Sequence, residues 1–208
     1  MQKFISLIGD IIASKELKQR GLVQEKLKKT LDDLNQRNSF ILSPYTITLG
    51  DEFQAVLKKS DQVFEDMVDI MNNLYPVKIR FSLGIGTLET PINSEMAIGM
   101  DGEAFYYARS GIEELKKTEF LFRIEGKKTN DIVLANQSLN VLSYTMNKWN
   151  ENRFDILSKL YKGKNVKEIA EEISISEQAV YKSINQGILE EIKSLLQSIT
   201  VIINQNMN

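Results

Sequence analysis

Apolar and polar positions alternate along the first half of the chain in two different periods. Phe4-Ile5-Ser6-Leu7-Ile8-Gly9 reads as a buried, central strand that ends at Asp10. Leu22, Leu27, Leu31 and Leu34 fall on one helical face between Gly21 and Asn38, and Pro44 breaks the chain after it. Thr46-Ile47-Thr48-Leu49 runs into Gly50-Asp51, and Glu52-Phe53-Gln54-Ala55-Val56-Leu57 runs out of it, the pattern of a β-hairpin. Ser60 to Leu74 predicts an amphipathic helix with Ser60 as N-cap and Val63, Phe64, Met67, Val68 and Met71 as its stripe. Val77 to Gly86 alternates as a strand, and its paired glycines Gly84 and Gly86 fit close packing at a strand end rather than a phosphate loop.

Pro91 to Gly99 reads as loop, and Asp101-Gly102 opens a helix through Ala104, Tyr107, Ala108, Ile112 and Leu115. Of the adjacent Tyr106 and Tyr107, helical geometry lets at most one line a site. Glu119 to Glu125 reads as a strand, and Gly126 to Asn130 as a hairpin-like loop into Ile132-Val133-Leu134. Asn136 to Asn150, with the single tryptophan Trp149, reads as a connecting helix. From Arg153 the pattern is all helical. Phe154, Leu157 and Leu160 form a stripe stopped by Gly163, and Asn165 with Glu168 forms a capping box. A short helix and a second one over Glu177 to Asn185 follow, then a long amphipathic helix through Ile188, Leu189, Ile192, Leu195 and Leu196. The expected division is an α+β region over 1–135, a connecting helix over 136–150 and a small all-α region over 151–208.

Composition narrows the chemistry more than it names it. The 208 residues include 42% hydrophobic and 26% charged, with a formal net charge of -2, an ordinary globular surface and not a polybasic one. With no cysteine and no histidine, thiolate nucleophiles, His bases and structural zinc sites are excluded. Catalysis would fall to carboxylates, Lys, Tyr, Arg or a metal. No apolar run approaches membrane-spanning length, and no signal-peptide pattern opens the chain, so a cytoplasmic location and no membrane partner are expected.

Asp10 and Asp51 are the candidate chemistry. Two carboxylates at strand ends of one sheet repel by about 4 kcal/mol at close range in a partly shielded medium. A shared proton or a divalent cation relieves this, and oxygen-only ligands suit Mg²⁺ or Mn²⁺ held with a substrate phosphate. Taken singly, each Asp is also ordinary turn punctuation.

The order strand-Asp, helix, strand, Gly-Asp hairpin, strand, helix, strand resembles the class III nucleotidyl cyclase core. It is more distantly similar to the GGDEF diguanylate cyclase domain, whose last four letters recur as Gly50-Asp51-Glu52-Phe53. In whole-chain organisation it resembles the SatD family of bacterial proteins, which follow such a region with a helix-turn-helix. The resemblance implies a ferredoxin-like, cyclase-like sheet with helices. It makes Asp10 and Asp51 metal ligands, with the Ile11 carbonyl a further candidate, and puts Ser14 and Lys15 near a nucleotide's phosphates. It makes Arg109, in Ala108-Arg109, a cation for a departing pyrophosphate. Against turnover, Ile47 falls where adenylyl cyclases carry a base-reading lysine, Phe105 where they carry an asparagine, and Leu49 replaces the first glycine of GGDEF.

Val166-Lys167-Glu168-Ile169-Ala170 with Ile175-Ser176-Glu177-Gln178-Ala179-Val180 resembles the helix-turn-helix of sigma-factor and response-regulator output domains, with Ser174 in place of the usual turn glycine. That resemblance makes Gln178, Tyr181, Lys182 and Asn185 candidate DNA contacts, Gln and Asn for adenine edges and Tyr and Lys for phosphates. Between Arg153 and Lys193, seven cations face seven acids, a thin electrostatic footprint for DNA. A homodimer would reinforce it, with the stripe Ile188, Leu189, Ile192, Leu195, Leu196, Ile199 as its seam; packing on the chain's own body is the other use for that stripe. Three functions stay open. They are a nucleotide- and metal-binding regulator with a DNA-binding tail, a working cyclase-type nucleotidyltransferase with the tail for assembly, and a non-catalytic interaction module.

Overall fold

A computed structural model describes residues 2–48 and 50–207. Five strands form one sheet in the order β2-β3-β1-β4-β5, with β1 Phe4–Ile11, β2 Ile41–Ile47, β3 Glu52–Leu57, β4 Ile79–Gly86 and β5 Phe122–Glu125. Neighbours are antiparallel except β4 and β5, which run parallel and are joined by α3 (Glu103–Leu115). The other helices are α1 Arg20–Arg37, α2 Val63–Leu74, α4 Asn130–Met146, α5 Glu151–Tyr161, α6 Val166–Ile173, α7 Glu177–Gly187 and α8 Leu189–Asn206.

The alternation of β1 splits its side chains between two environments. Ile5, Leu7 and Ile11 join one large core with α1, α2, α4, α5 and α8, whereas Ile8 packs with Ala108 and Ile112 of α3. That large core is continuous from the sheet into the C-terminal helices. On the other face α3 lies unusually close to the strands. A Cβ at Gly84 would land on the Ala104 carbonyl and the Ala108 nitrogen, and one at Gly111 would land on Ser82 Oγ. These glycines act through close approach, as the strand-end reading of Gly84 and Gly86 anticipates.

Both sheet edges are covered by asparagine side chains. Asn35 of α1 accepts from Tyr45 N at 2.7 Å and donates to Tyr45 O at 3.1 Å on β2. Asn136 of α4 does the same for Ile124 on β5, at 2.9 and 2.8 Å. Each amide pairs the edge-facing N–H and C=O of one strand residue, groups that would otherwise be open to edge-to-edge pairing.

Several expectations are corrected. Pro44 lies within β2, at an irregularity in the β2–β3 register between Ser43 and Thr46; an edge strand tolerates a residue with no N–H. Ser60 does not cap α2, whose N-cap is Gln62. Its hydroxyl instead bonds the Thr200 carbonyl at 3.1 Å and Asn204 at 2.9 Å, fastening α8. The β-branched run Ile132-Val133 is helical, because Thr129 caps α4 and the helix starts at Asn130, ahead of the expected start at Asn136, and Trp149 lies beyond that helix. Ile188 is the left-handed junction between α7 and α8 and is 52% exposed. Leu189, Ile192, Leu196 and Ile199 are buried within the chain, so of the two uses for that stripe the packing on the chain's own body is the one observed. No helix among the described residues is long and apolar enough to cross a membrane.

The tail helices have well-formed ends. Asn165 and Glu168 make the anticipated capping box on α6, Ser174 is left-handed at its C-terminus (φ 56°), and Ser176 caps α7. α6 and α7 are thus joined by a turn of Ser174, Ile175 and Ser176.

Candidate functional site

The site forms where β1 ends beside the β2–β3 hairpin. Asp10 is the register partner of Glu52 on β3 and of Arg80 on β4, so strand geometry alone lines up acid, acid and cation on one face. The next residue ties the hairpin in place: Ile11 N donates to the Asp51 carbonyl at 3.0 Å. Beyond it Ala13 takes a left-handed conformation (φ 54°) at the start of a 3-10 turn over Ser14–Glu16. That turn directs the buried Ser14 Oγ onto the Asp51 carboxylate. At the hairpin, Gly50 has positive φ (61°) and its carbonyl accepts from Gln24 of α1 at 2.7 Å.

Arg109 reaches in from α3, the helix that Gly84 and Gly111 allow close to the sheet. It grips Glu52 with two parallel bonds of 2.5 and 2.6 Å, the fork geometry that suits a guanidinium to a carboxylate. Arg80 Nε lies 3.4 Å from Asp10 Oδ2 but makes no aligned hydrogen bond, so its hold on Asp10 is one of charge. Burial pushes the Asp10 carboxyl above its ordinary range. Arg80 and Lys116 oppose that shift, and Asp51 and Glu52 add to it.

The structure therefore brings Asp10, Ile11, Ser14, Asp51 and Arg109 together. Lys15 follows Ser14 but is exposed to solvent. Ile47 pairs with Phe53 on β3 and packs against the main core, away from the acids' face. Phe105 is half-buried in the first turn of α3, and Leu49 lies outside the described residues. Of the two tyrosines, Tyr106 is exposed, while Tyr107 lines a cavity of about 260 Å³ at the opposite end of the sheet. In the tail, Gln178, Tyr181, Lys182 and Asn185 are all exposed at spacings that share one face of α7.

Two site residues escape sequence reasoning. Glu52 is visible as an acid of the hairpin, but not as the seat of Arg109. Arg80 is visible only as a cation on the polar side of a strand, and the signal that finds it is that alternation combined with the pairing of β4 to β1. In the tail, Arg153 joins Lys182, Asn150 and Asn152 around a polar cavity of about 220 Å³, adding a second cation beside α7.

A metal has a specific fit to answer here. The donors are hard carboxylate oxygens, as Mg²⁺ and Mn²⁺ require, and burial of Asp10 beside like charges is the strain that a cation relieves. No cluster of three or more acidic, His or Cys side chains arranged as a metal cage is present among the described residues. Glu52 is taken by Arg109, so an ion on Asp10 and Asp51 would complete its shell from water or a bound phosphate.

The SatD family model matches residues 4–198. The chain belongs to the SatD family. Among solved structures, this SatD-family chain is similar to a bacterial light-regulated adenylyl cyclase at 14% identity and a TM-score of 0.40, over 59% of this chain and 43% of that one. It thus spans less than half the length of that cyclase. No curated protein matches it.

Proposed function

We propose that this SatD-family protein binds one divalent cation, Mg²⁺ or Mn²⁺, together with a nucleotide at Asp10 and Asp51, and couples that binding to DNA contact through α6 and α7. The observation that carries the reading is the pairing of two strand-end acids fixed by the Ile11–Asp51 backbone bond, one of them held above its ordinary ionisation range by burial. A half-buried acid beside like charges is held at a cost, and a cation with a phosphate ligand turns that cost into affinity. The antiparallel order β2-β3-β1-β4, with α1 and α2 as the connections, supports a ferredoxin-like, cyclase-like reading of the sheet.

In this reading Ser14, Lys15 and the Ile11 carbonyl are the candidates for contacts to the phosphates and the ion. Residues 1–135 bind the nucleotide, 136–150 connect, and 151–208 carry the helix-turn-helix, in a cytoplasmic protein. Gln178 and Asn185 address base edges, and Lys182 with Arg153 addresses phosphates. A homodimer would double that modest footprint.

Binding without fast turnover is favoured over a working nucleotidyltransferase by two observations. Arg109 is engaged by Glu52, and the partly buried Ile47 packs against the core and has no group to read a base. Thermal unfolding tests the reading. Millimolar Mg²⁺ or Mn²⁺ is expected to raise Tm and a nucleoside triphosphate to raise it further, since a ligand at a hundred times its Kd adds about 2.7 kcal/mol. Asp51→Asn is expected to abolish the response while the chain stays folded. A Tm unmoved by any divalent ion or nucleotide would overturn it.

A further inference from the structure

The inner face of α4 is fixed by what it touches. Ile132, Ala135, Leu139, Leu142 and Met146 join the main core, and Asn136 holds the β5 edge through Ile124. The opposite face carries Leu134 (64% exposed), Val141 (70%) and Tyr144 (65%), with the exposed Gln137 between them. Positions 134, 137, 141 and 144 alternate steps of three and four, the seam along which two helices pack side by side. Here that seam faces solvent, and clustered apolar side chains on a surface mark a contact site.

Charge indicates what covers it. From Ile132 to Asn147 the sequence holds no charged residue, in a chain of which 26% is charged. α8 packs against α4, with Thr129 bonded to Asn206. It too is uncharged from Ser194 onward, and its Val201 is exposed. Anionic lipid, nucleic acid or a charged protein surface finds no complementary charge there. A second copy meets no repulsion, and a two-fold contact requires a patch that fits itself. Asp131 in the first turn of α4 and Lys148 just past its last lie at opposite ends. Antiparallel packing sets Leu134 of one copy against Tyr144 of the other and Gln137 against Val141. It also turns the Lys148 end of each copy toward the Asp131 end of the other, whereas parallel packing sets like charge beside like.

We propose that the outer face of α4 receives a second copy of this chain, the two α4 helices lying antiparallel about a two-fold axis near residues 138–140. The proposal does not rest on the metal and nucleotide reading. It gives a homodimer a surface of its own, since Leu189, Ile192, Leu196 and Ile199 of α8 are buried within the chain. A seam about 25 Å long is small for an obligate interface, so the dimer should be reversible, with a micromolar Kd.

Sedimentation velocity of the full chain from low to high micromolar concentration tests this. The wild type is expected to pass from monomer to dimer. Val141→Glu and Tyr144→Glu, both at exposed positions, are each expected to weaken the dimer at least tenfold. Ile98→Glu, at an exposed position in the loop that Gln54 of β3 holds at Ala97, is expected to dimerise as the wild type does. The chain has no cysteine, so introduced thiols report orientation. Leu134→Cys chains are mixed with Tyr144→Cys chains and oxidised, and mass spectrometry is expected to find position 134 linked to position 144. No such mixed link, or links between like positions in its place, would overturn the antiparallel contact. A wild type monomeric throughout would overturn the proposal, and its co-sedimentation with neutral vesicles would assign the face to lipid instead. A dimer that survives both glutamate variants would place the contact elsewhere and overturn it as well. None of these outcomes touches the metal reading.

Discussion

Arg109 of α3 and Glu52 of β3 are joined by two parallel bonds, 2.5 and 2.6 Å long, with Arg109 about half exposed and Glu52 nearly buried. The arginine proposed to meet a nucleotide's phosphates is therefore already paired with an acid of the same candidate site. Removing it leaves a carboxylate in a place that water scarcely reaches. Breaking a fully buried pair costs several kcal/mol, and the half-exposed guanidinium discounts that figure. Arg109→Ala is expected to lower stability by about 1–2 kcal/mol in chemical denaturation. Glu52→Gln should cost less and, by releasing the guanidinium, tighten triphosphate binding in calorimetry. If Glu52→Gln weakens that binding as much as Arg109→Ala does, the pair is a scaffold and not a latch.

A second prediction concerns the close contact that positions Arg109. Ser82 Oγ is buried without a hydrogen-bond partner and stands where a Cβ on Gly111 would go. An orphaned buried hydroxyl costs about 1–3 kcal/mol, so Ser82→Ala is expected to be neutral or stabilising. Gly111→Ala overpacks the interface and should destabilise by about 1–3 kcal/mol. In the double variant part of that loss should return, because the nearest clashing atom is gone. Strict additivity across the cycle would show that the clash is taken up elsewhere.

A buried polar network away from the site predicts the pH response. Asp66 of α2 accepts from Asn38 at 2.5 Å and Tyr45 at 3.0 Å, with Arg37 3.8 Å away. Its neighbour Asp69 bonds Arg37, Ser158 of α5 and Lys162, tying the tail to α1 and α2. Burial outweighs the donors around Asp66 and raises its carboxyl to about 7, and burial raises Glu65 in the same sense. The unfolded chain releases the Asp66 proton near pH 4. Between about pH 4 and about pH 7 the folded chain holds more protons, so stability falls as pH rises through that window, by up to roughly 4 kcal/mol for Asp66 alone. Urea midpoints at about pH 5 and about pH 8 are expected to differ in that direction, and Asp66→Asn to flatten the difference. A chain more stable at the higher pH would contradict the assignment.

Much of this was legible in the sequence because it is local. An apolar run marks β1 and alternation marks β4, Asp10 ends its strand, Gly50-Asp51 marks the hairpin, and Asn165 with Glu168 marks the start of α6. What stayed hidden depends on partners distant in the chain. Arg80 becomes a site residue only when β4 lies beside β1, and Ser60 becomes an anchor for α8 only when residue 204 arrives. Ile132 and Val133 read as strand because β-branched residues prefer one, yet packing on β5 and the Thr129 cap override that preference. Asn35 and Asn136 look like helix-surface amides until the sheet edges they complete are in view.

The tail gives the last prediction. α7 turns Gln178, Tyr181, Lys182 and Asn185 outward, and Arg153 from the start of α5 meets Lys182 at the same polar cavity. Two cations per chain neutralise few phosphates, so binding to duplex DNA should be weak and its log-log salt slope shallow, about −2 for one chain and about −4 for a dimer. Lys182→Ala and Arg153→Ala are each expected to weaken every sequence alike and to flatten that slope by about one per chain. Gln178→Ala and Asn185→Ala should instead erode sequence preference, by about 1–3 kcal/mol at the base each one reads. A dimer would hold two copies of α7 about 34–36 Å apart, so enriched sites should be palindromic with half-sites one turn apart. Selection from random duplexes at low salt, with the full chain and with and without Mn²⁺ and nucleotide, checks all of these together. If nothing is enriched in either condition while the protein remains monomeric, α6 and α7 serve packing and do not read DNA.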